Sequence, residues 1–145
     1  MFVALAAVLA VLTASAAAAE KQRDSPEAAG RTYGQTYKDM VLAACIARAY
    51  QQDTSAALDA GSSFSALQDW TVYDLEHSAE AITGLVDKYL ARDYSNPLAE
   101  SEIKGIRFDL LKCLDLYHSR ELTVQMRRFV WTPNRSYRQD YPPKR

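Results

Sequence analysis

Two cysteines and two histidines are the side chains in this sequence that could form a thiolate–imidazole catalytic pair. Cys113 and His118 are the nearest pair along the chain. A helix separates positions five residues apart by about 140°, so these two side chains cannot face each other on one helix. Cys113 and Cys45 both lie on apolar stripes, where burial makes a thiol inert. We therefore expect no catalytic cysteine and no enzymatic activity.

Metal and cofactor chemistry also lacks a motif. His77 and His118 belong to no ligand spacing such as H-x3-H, and no acidic cluster accompanies them. The sequence contains five glycines and none of the patterns GxGxxG, GxxxxGK[ST] or GxSxG. We expect no metal and no cofactor, which leaves protein binding as the favoured class of function.

The N-terminus has the layout of a secretory signal. Residues 1–19 carry no charge, Phe2 to Leu12 are apolar, and Ala17 to Ala19 form a site for signal cleavage. No basic residue precedes the apolar run. The alternative is an apolar helix of a cytosolic protein, but such a helix would show polar positions every three or four residues. We predict a signal peptide over residues 1–19 and an exported mature protein.

Export makes a disulfide between Cys45 and Cys113 possible, because disulfides persist in oxidising compartments. Both cysteines lie on the inward stripes of their predicted helices. Closing a loop of 68 residues would stabilise the fold by about 4 kcal/mol in the chain-entropy model. The alternative is two buried free thiols, which behave as small hydrophobic groups.

The apolar spacing after the signal is helical throughout. We predict an all-α fold, a compact single-domain bundle of about five helices over residues 31–130. Residues 20–30 are a polar leader that we expect to be mobile, and residues 131–145 are expected to form a flexible basic tail. The first predicted helix is long and has the stripe Tyr37 to Tyr50. A short helix follows Asp53 and is broken at Gly61–Ser63, the next is capped by Ser63, and another starts at Ser78. The remaining predicted helices are one with Ile106, Leu110, Cys113, Leu114 and Tyr117 inward and a last piece from Ser119 to about Val130.

Charge is unevenly spread along the chain. Residues 20–119 hold 10 basic and 16 acidic side chains, a net charge of −6, whereas residues 120–145 hold 7 basic and 2 acidic ones, a net charge of +5. An acidic body argues against a nucleic-acid surface. Nine tyrosines among 145 residues favour protein contacts weakly, because Tyr offers a large contact area at a low entropy cost.

Three segments resemble a known family. They are Arg31–Ala47, which contains YKDMVLAACIA; Ala60–Trp70, which contains AGSS and LQDW; and Tyr89–Ser119, which contains RDYSNPL and KCLDLYHS. In order and spacing they resemble the periplasmic immunity proteins paired with the fourth family of type VI secretion amidase effectors. The resemblance covers about residues 31–119.

The resemblance implies a function and a partner. The effectors of that system are cysteine amidases that cut peptidoglycan peptides, and their immunity proteins inhibit them in the periplasm. Family members are similar in being helical, in forming homodimers and in closing the amidase groove with a protruding loop. The expected partners are therefore a cognate amidase and a second copy of the chain. The alternative is a periplasmic structural or adaptor protein without an enzyme target.

We assign the inhibitory surface to the loop from Asp93 to Glu102, which is polar and lies between two well-patterned helices. Pro97 restricts the loop, which lowers the entropy cost of ordering it on binding. An aromatic anchor, hydrogen-bonding side chains and carboxylates would fit a groove that holds peptide. The expected contact residues are Asp93, Tyr94, Ser95, Asn96, Pro97 and Glu100. The alternative is that Asp93 to Ser95 only cap the next helix while Tyr94 packs against its own bundle.

Overall fold

The structure is a computed structural model that describes residues 25–143, so the predicted signal peptide lies outside the described residues. A single 3-10 turn, Glu27–Gly30, precedes seven α-helices in the described part of the chain. They are α1 (Tyr33–Ala49), α2 (Thr54–Asp69), α3 (Leu75–Leu90), α4 (Pro97–Glu102), α5 (Asp109–His118), α6 (Arg120–Phe129) and α7 (Tyr137–Asp140). The all-α prediction is confirmed. None of the described helices is long and apolar enough to cross a membrane.

The first helix forms the centre of the bundle and contacts α2, α3, α5 and α6. Its N-terminus is fixed by a capping box, in which Thr32 and Gln35 satisfy each other's backbone N–H groups. The predicted apolar stripe is buried from Tyr37 through Val41 to Cys45, whereas Tyr50, predicted as its last member, is exposed. Around it lies one core, which contains Tyr33, Tyr37, Met40, Val41, Cys45, Tyr73, Ile82, Leu85, Val86, Tyr89, Cys113, Leu116, Leu122, Phe129 and Val130.

The predicted break at residues 61–63 is wrong, because α2 continues through it. Asp53 caps this helix, as expected, by accepting hydrogen bonds from the backbone of Ser55 and Ala56. Ser63 does not start a new helix, since its hydroxyl donates to the Asp59 carbonyl one turn earlier, at 2.9 Å. Packing against α1 along its length therefore outweighs the weak helix propensity of the Gly-Ser-Ser sequence.

Two other helix starts also differ from the prediction. The third helix begins at Leu75 rather than Ser78, because the Asp74 carboxylate accepts from the His77 backbone N–H and provides the N-cap. The fifth helix begins only at Asp109, so Ile106 precedes it. Its inward stripe is also shifted, since Leu110 and Leu114 are exposed and the inward positions are Lys112, Cys113 and Leu116. The sixth helix lies where the last helical piece was predicted, with Ser119 as its N-cap and Phe129 as its last residue.

Residues 131–143 are built into the fold, so the expectation of a flexible tail is wrong for this part of residues 131–145. The carbonyls of Arg135 and Pro133 accept hydrogen bonds from the backbone N–H groups of Tyr33 (2.6 Å) and Gly34 (3.0 Å). These donors belong to the first turn of α1, where a helix has no internal acceptor for them. Tyr33 also donates its hydroxyl proton to Asp140 at 2.8 Å.

The leader is likewise part of the described fold at its end. Its 3-10 turn contacts α7 and buries Ala28. Structure therefore begins at least four residues before Arg31, and the expectation of a mobile leader is wrong for residues 27–30.

The disulfide prediction is confirmed. Cys45 on α1 and Cys113 on α5 are bonded, with a Cα–Cα distance of 5.7 Å. Both residues are fully buried, so the bond joins the two helices inside the core.

Candidate partner-binding site

The segment between α3 and α5, residues 91–108, contains the predicted loop and is closed at its base. The Lys112 side chain is buried, and its Nζ donates to the Leu90 carbonyl at 3.2 Å and to the Asp109 carboxylate at 3.1 Å. Leu90 and Asp109 flank the segment on either side. Next to Lys112, Cys113 bonds α5 to α1. The two ends of the 91–108 segment are thus fixed by Lys112 and by the neighbouring disulfide, and we refer to Lys112, Leu90, Asp109 and the disulfide as its cross-linked base.

The first part of the segment packs back onto the bundle. The Arg92 guanidinium lies 3.5 Å from the centre of the Tyr89 ring. Tyr94 is half-buried and donates its hydroxyl proton to Asp115 at 2.5 Å. A hydrogen bond between Arg92 and the Tyr94 oxygen raises the pKa of Arg92. The position of Tyr94 is therefore the one given by the alternative to the contact prediction, in which its side chain packs against its own bundle.

The middle of the segment forms α4. The Asn96 side-chain oxygen accepts from the backbone N–H groups of Leu98 (3.1 Å) and Ala99 (3.2 Å). Glu100 returns the contact by accepting from the Asn96 backbone N–H at 2.9 Å. Pro97 occupies the first turn, where its missing N–H costs nothing. Asn96, Pro97 and Glu100 thus hold a short helix together while remaining exposed to solvent.

Two large apolar side chains of the segment are exposed to solvent. Leu98 on α4 is 83% exposed and Ile103, directly after it, is 61% exposed. No buried side chain belongs to α4 itself. Leu98 and Ile103 were absent from the predicted contact set. The sequence did contain a sign of their exposure. Leu98 and Ile103 lie in a polar segment that has no apolar residues at helical spacing to pair with them, so their side chains must either pack against another element or remain in solvent.

A hollow of about 320 Å³ lies beside the start of the segment. It brings together four of the predicted residues with two from the start of α5. Pro97 and Glu100 lie outside it, on α4. Its lining consists of Asp93, Tyr94, Ser95, Asn96, Phe108 and Leu111.

Phe108 and Leu111 also line a second, larger hollow of about 480 Å³. Phe108 caps α5 with a left-handed backbone, φ 54°, which is strained for a residue with a side chain. The second hollow reaches Tyr50 at the end of α1. Its apolar lining is partly exposed, with Leu110 at 48%, Leu111 at 47% and Leu114 at 39%.

The arrangement offers contact surface rather than reactive groups. Both cysteines of the chain are in the disulfide, so neither sulfur is available as a thiolate while the bond is intact. His77 is a surface residue beside Asp74, whose pKa is lowered chiefly by the hydrogen bond from the His77 backbone. Among residues 25–143 no cluster of three or more His, Cys, Asp or Glu side chains could hold a metal ion.

The chain matches the model of a known protein family. Residues 35–126 match the model of the Tai4 family, described as type VI secretion system (T6SS) amidase immunity protein. No curated protein sequence matches the chain.

Two solved structures are similar in fold. One chain comes from work on new type VI-secreted toxins and self-resistance proteins in Serratia marcescens. It is 28% identical, with a TM-score of 0.74, over 86% of this chain and 98% of that one. The other comes from the effector–immunity system Tae4/Tai4 of Salmonella typhimurium, as a selenomethionine variant. It is 23% identical, with a TM-score of 0.62, over 72% of this chain and 96% of that one.

The family match spans 92 of the 145 residues, from the first turn of α1 into α6, and includes the whole 91–108 segment with its cross-linked base. This chain therefore belongs to the Tai4 family of type VI secretion amidase immunity proteins.

Proposed function

We propose that this protein acts in the periplasm by inserting the 91–108 segment into the active-site groove of a cognate peptidoglycan amidase effector. The observation that carries the proposal is the projection of α4 and Ile103 from a base cross-linked by Lys112 and the disulfide. A rigid base with an exposed tip loses little conformational entropy on binding, which favours affinity.

The chemistry of the tip suits a groove that binds peptide. Leu98 supplies an apolar anchor, and its neighbours Asp93, Glu100 and Glu102 supply carboxylates that a cationic catalytic histidine would attract. Because Tyr94 and Asn96 are engaged in hydrogen bonds within the chain, we assign them a positioning role. Glu100 also accepts one such bond, through Oε1, but its charged carboxylate stays exposed to solvent. The contact role then falls on Asp93, Ser95, Pro97, Leu98, Glu100 and Ile103.

The test compares two surface substitutions of the same kind. Leu98→Asp changes the tip, whereas Leu58→Asp changes a residue on α2 that is 66% exposed and distant in sequence from the segment. Inhibition of the purified amidase is measured on peptidoglycan fragments at increasing inhibitor concentration. We expect Leu98→Asp to raise the half-inhibitory concentration about 30-fold or more, as for an interface hot spot of about 2 kcal/mol. Leu58→Asp should inhibit like the wild type.

Circular dichroism of both variants must show unchanged helical content. If a folded Leu98→Asp protein inhibits at the wild-type concentration, the tip is not the inhibitory element. If no amidase encoded beside the gene is bound by the wild type at all, the alternative of an adaptor without an enzyme target is favoured instead.

We further propose that the protein forms a homodimer through the apolar face around the second hollow. Tyr50, Leu110, Leu111 and Leu114 expose apolar area on one side of α5, and a C2 dimer would bury this face twice. Light scattering of the wild type at micromolar concentration should give the mass of two chains. The double variant with Leu110→Asp and Leu114→Asp should give the mass of one chain. If the wild type also has the mass of one chain, the dimer proposal is contradicted.

A further inference from the structure

The outward face of α6 combines positive charge with exposed apolar groups. Arg120, Val124, Arg127 and Arg128 follow one another at spacings of 4, 3 and 1 residues, which places them on one side of the helix. All four are exposed, Val124 by 56%. The opposite side of the helix enters the core through Leu122 and Phe129. We refer to Arg120, Val124, Arg127, Arg128 and the following Trp131 as the α6 face.

The positive charge of this face is not neutralised within the described part of the chain. None of its three arginines takes part in an ion pair there. The one acidic residue of α6, Glu121, is engaged by Lys88 at 2.5 Å, and this hydrogen bond lowers the pKa of Glu121. The face therefore carries three positive charges that attract anions.

An exposed tryptophan lies two residues after the end of α6. Trp131 follows the buried Val130, which has an extended backbone, so the side chain of Trp131 points away from the core and is 68% exposed. Tryptophan side chains favour the boundary between lipid headgroups and hydrocarbon, and arginine favours anionic headgroups.

We propose that the α6 face binds the surface of a bilayer that contains anionic phospholipids. The net charge of the whole chain is only −1, whereas residues 120–145, which contain the α6 face, carry a net charge of +5 in sequence. Arg120 and Arg128 border a groove between α3 and α6, whereas Arg127 and Trp131 lie outside it. Because the positive charges extend beyond the groove, they match a broad anionic surface better than they match a single acidic side chain. The proposal depends on export of the chain and is independent of inhibition by the 91–108 segment.

The first experiment measures cosedimentation of the mature protein with vesicles. Binding is expected to vesicles of phosphatidylcholine with 30% phosphatidylglycerol. It should fall at least tenfold in pure phosphatidylcholine or in 500 mM salt, where the screening length is about 4 Å. Arg127→Gln with Arg128→Gln should weaken binding about 25-fold, from about fivefold for each arginine near an anionic surface. The matched control, Lys104→Gln with Arg107→Gln, removes two exposed positive charges elsewhere and should change binding less than twofold.

The second experiment uses Trp131 as a reporter. The chain has two tryptophans, so in the Trp70→Phe variant the emission comes from Trp131 alone. Its emission should shift to shorter wavelength on addition of phosphatidylglycerol vesicles and remain unchanged with phosphatidylcholine.

Three results would overturn the proposal. They are equal binding to both kinds of vesicle, equal losses in the two double variants, and absence of vesicle binding together with arginine-dependent binding of polyglutamate, which would indicate an acidic protein partner. None of these assays contains amidase, so their failure leaves the inhibition proposal to its own test.

Discussion

The ammonium group of Lys112 lies 3.2 Å from the carbonyl oxygen of Leu90, and this contact joins the end of α3 to the start of α5 beneath the 91–108 segment. Lys112 is 5% exposed, and its second partner, Asp109, is also largely buried. A buried lysine is therefore used here to fix the two ends of a surface segment.

Replacing Lys112 by Met should lower the free energy of unfolding by about 3 kcal/mol, because a buried carboxylate would lose its internal partner. Asp109 would keep only the exposed Arg107 at 3.2 Å. Urea unfolding followed by circular dichroism measures the change. Lys104→Met, on the exposed part of the same segment, is the control and should change stability by less than about 0.5 kcal/mol. Equal stabilities for the two variants would show that Lys112 is not a structural clamp.

Two glycines allow a paired test of the backbone. Gly105 has φ 75° and Gly84 lies within α3, and both have open space where a Cβ would be added. Gly105→Ala should destabilise the protein by about 1 kcal/mol, because the left-handed conformation is unfavourable for Ala. Gly84→Ala should stabilise it by about 1 kcal/mol, because Ala is the better helix former. Thermal unfolding of the two variants should therefore show midpoint shifts of opposite sign.

Stability should fall at alkaline pH. Burial raises the pKa of Tyr33 and of Tyr37 to about 12, above the ordinary value of 10.0. Because the unfolded chain loses these protons at lower pH than the folded one, the stabilisation is complete below pH 10 and is lost between pH 10 and 12. Urea midpoints across this range measure the decline.

Tyr37→Phe provides the matching variant. It removes one of the two titrating groups and the hydrogen bond from Gln125, at a cost of about 1 kcal/mol at neutral pH. Its stability should decline less steeply than that of the wild type between pH 10 and 12. Parallel curves for the two proteins would exclude Tyr37 as a source of the alkaline loss.

The disulfide should contribute a large share of the stability. Cys45→Ala with Cys113→Ala opens a loop of 68 residues and should lower the free energy of unfolding by about 4 kcal/mol. The wild type in dithiothreitol should lose a comparable amount, whereas the double variant should be insensitive to the reductant. If the free energy of unfolding falls by less than about 1 kcal/mol both in the double variant and in the reduced wild type, the packing of α1 on α5 is enough to hold the fold without the disulfide.

The sequence predicts side-chain patterns better than it predicts backbone partners. The stripe from Tyr37 to Cys45 and the Asp53 cap were identified correctly because each is encoded in side-chain type and spacing. The continuity of α2 was missed because the hydroxyl of Ser63 can either cap a new helix or bond back to the existing one. Only packing against α1 decides between these.

The return of the C-terminal residues to α1 has no sequence signature, since the acceptors at Pro133 and Arg135 are backbone carbonyls. The candidate site shows the same difference between side-chain patterns, which the sequence predicts, and backbone partners, which it does not. The position and the protrusion of the segment follow from polarity and Pro97, but the inward Lys112 looks like a surface residue in sequence. Its burial depends on the carbonyl of Leu90, 22 residues away.

Hydrogen–deuterium exchange of the mixture with the cognate amidase tests the central claim most directly. Peptides that cover residues 97–103 should exchange more slowly in the complex than in the free protein, and amidase peptides around its catalytic cysteine should be protected at the same time. Peptides that cover residues 54–60 of α2 should be unchanged. Protection of α2 or another face, with residues 97–103 and the amidase groove exchanging as in the free proteins, would contradict inhibition by the 91–108 segment.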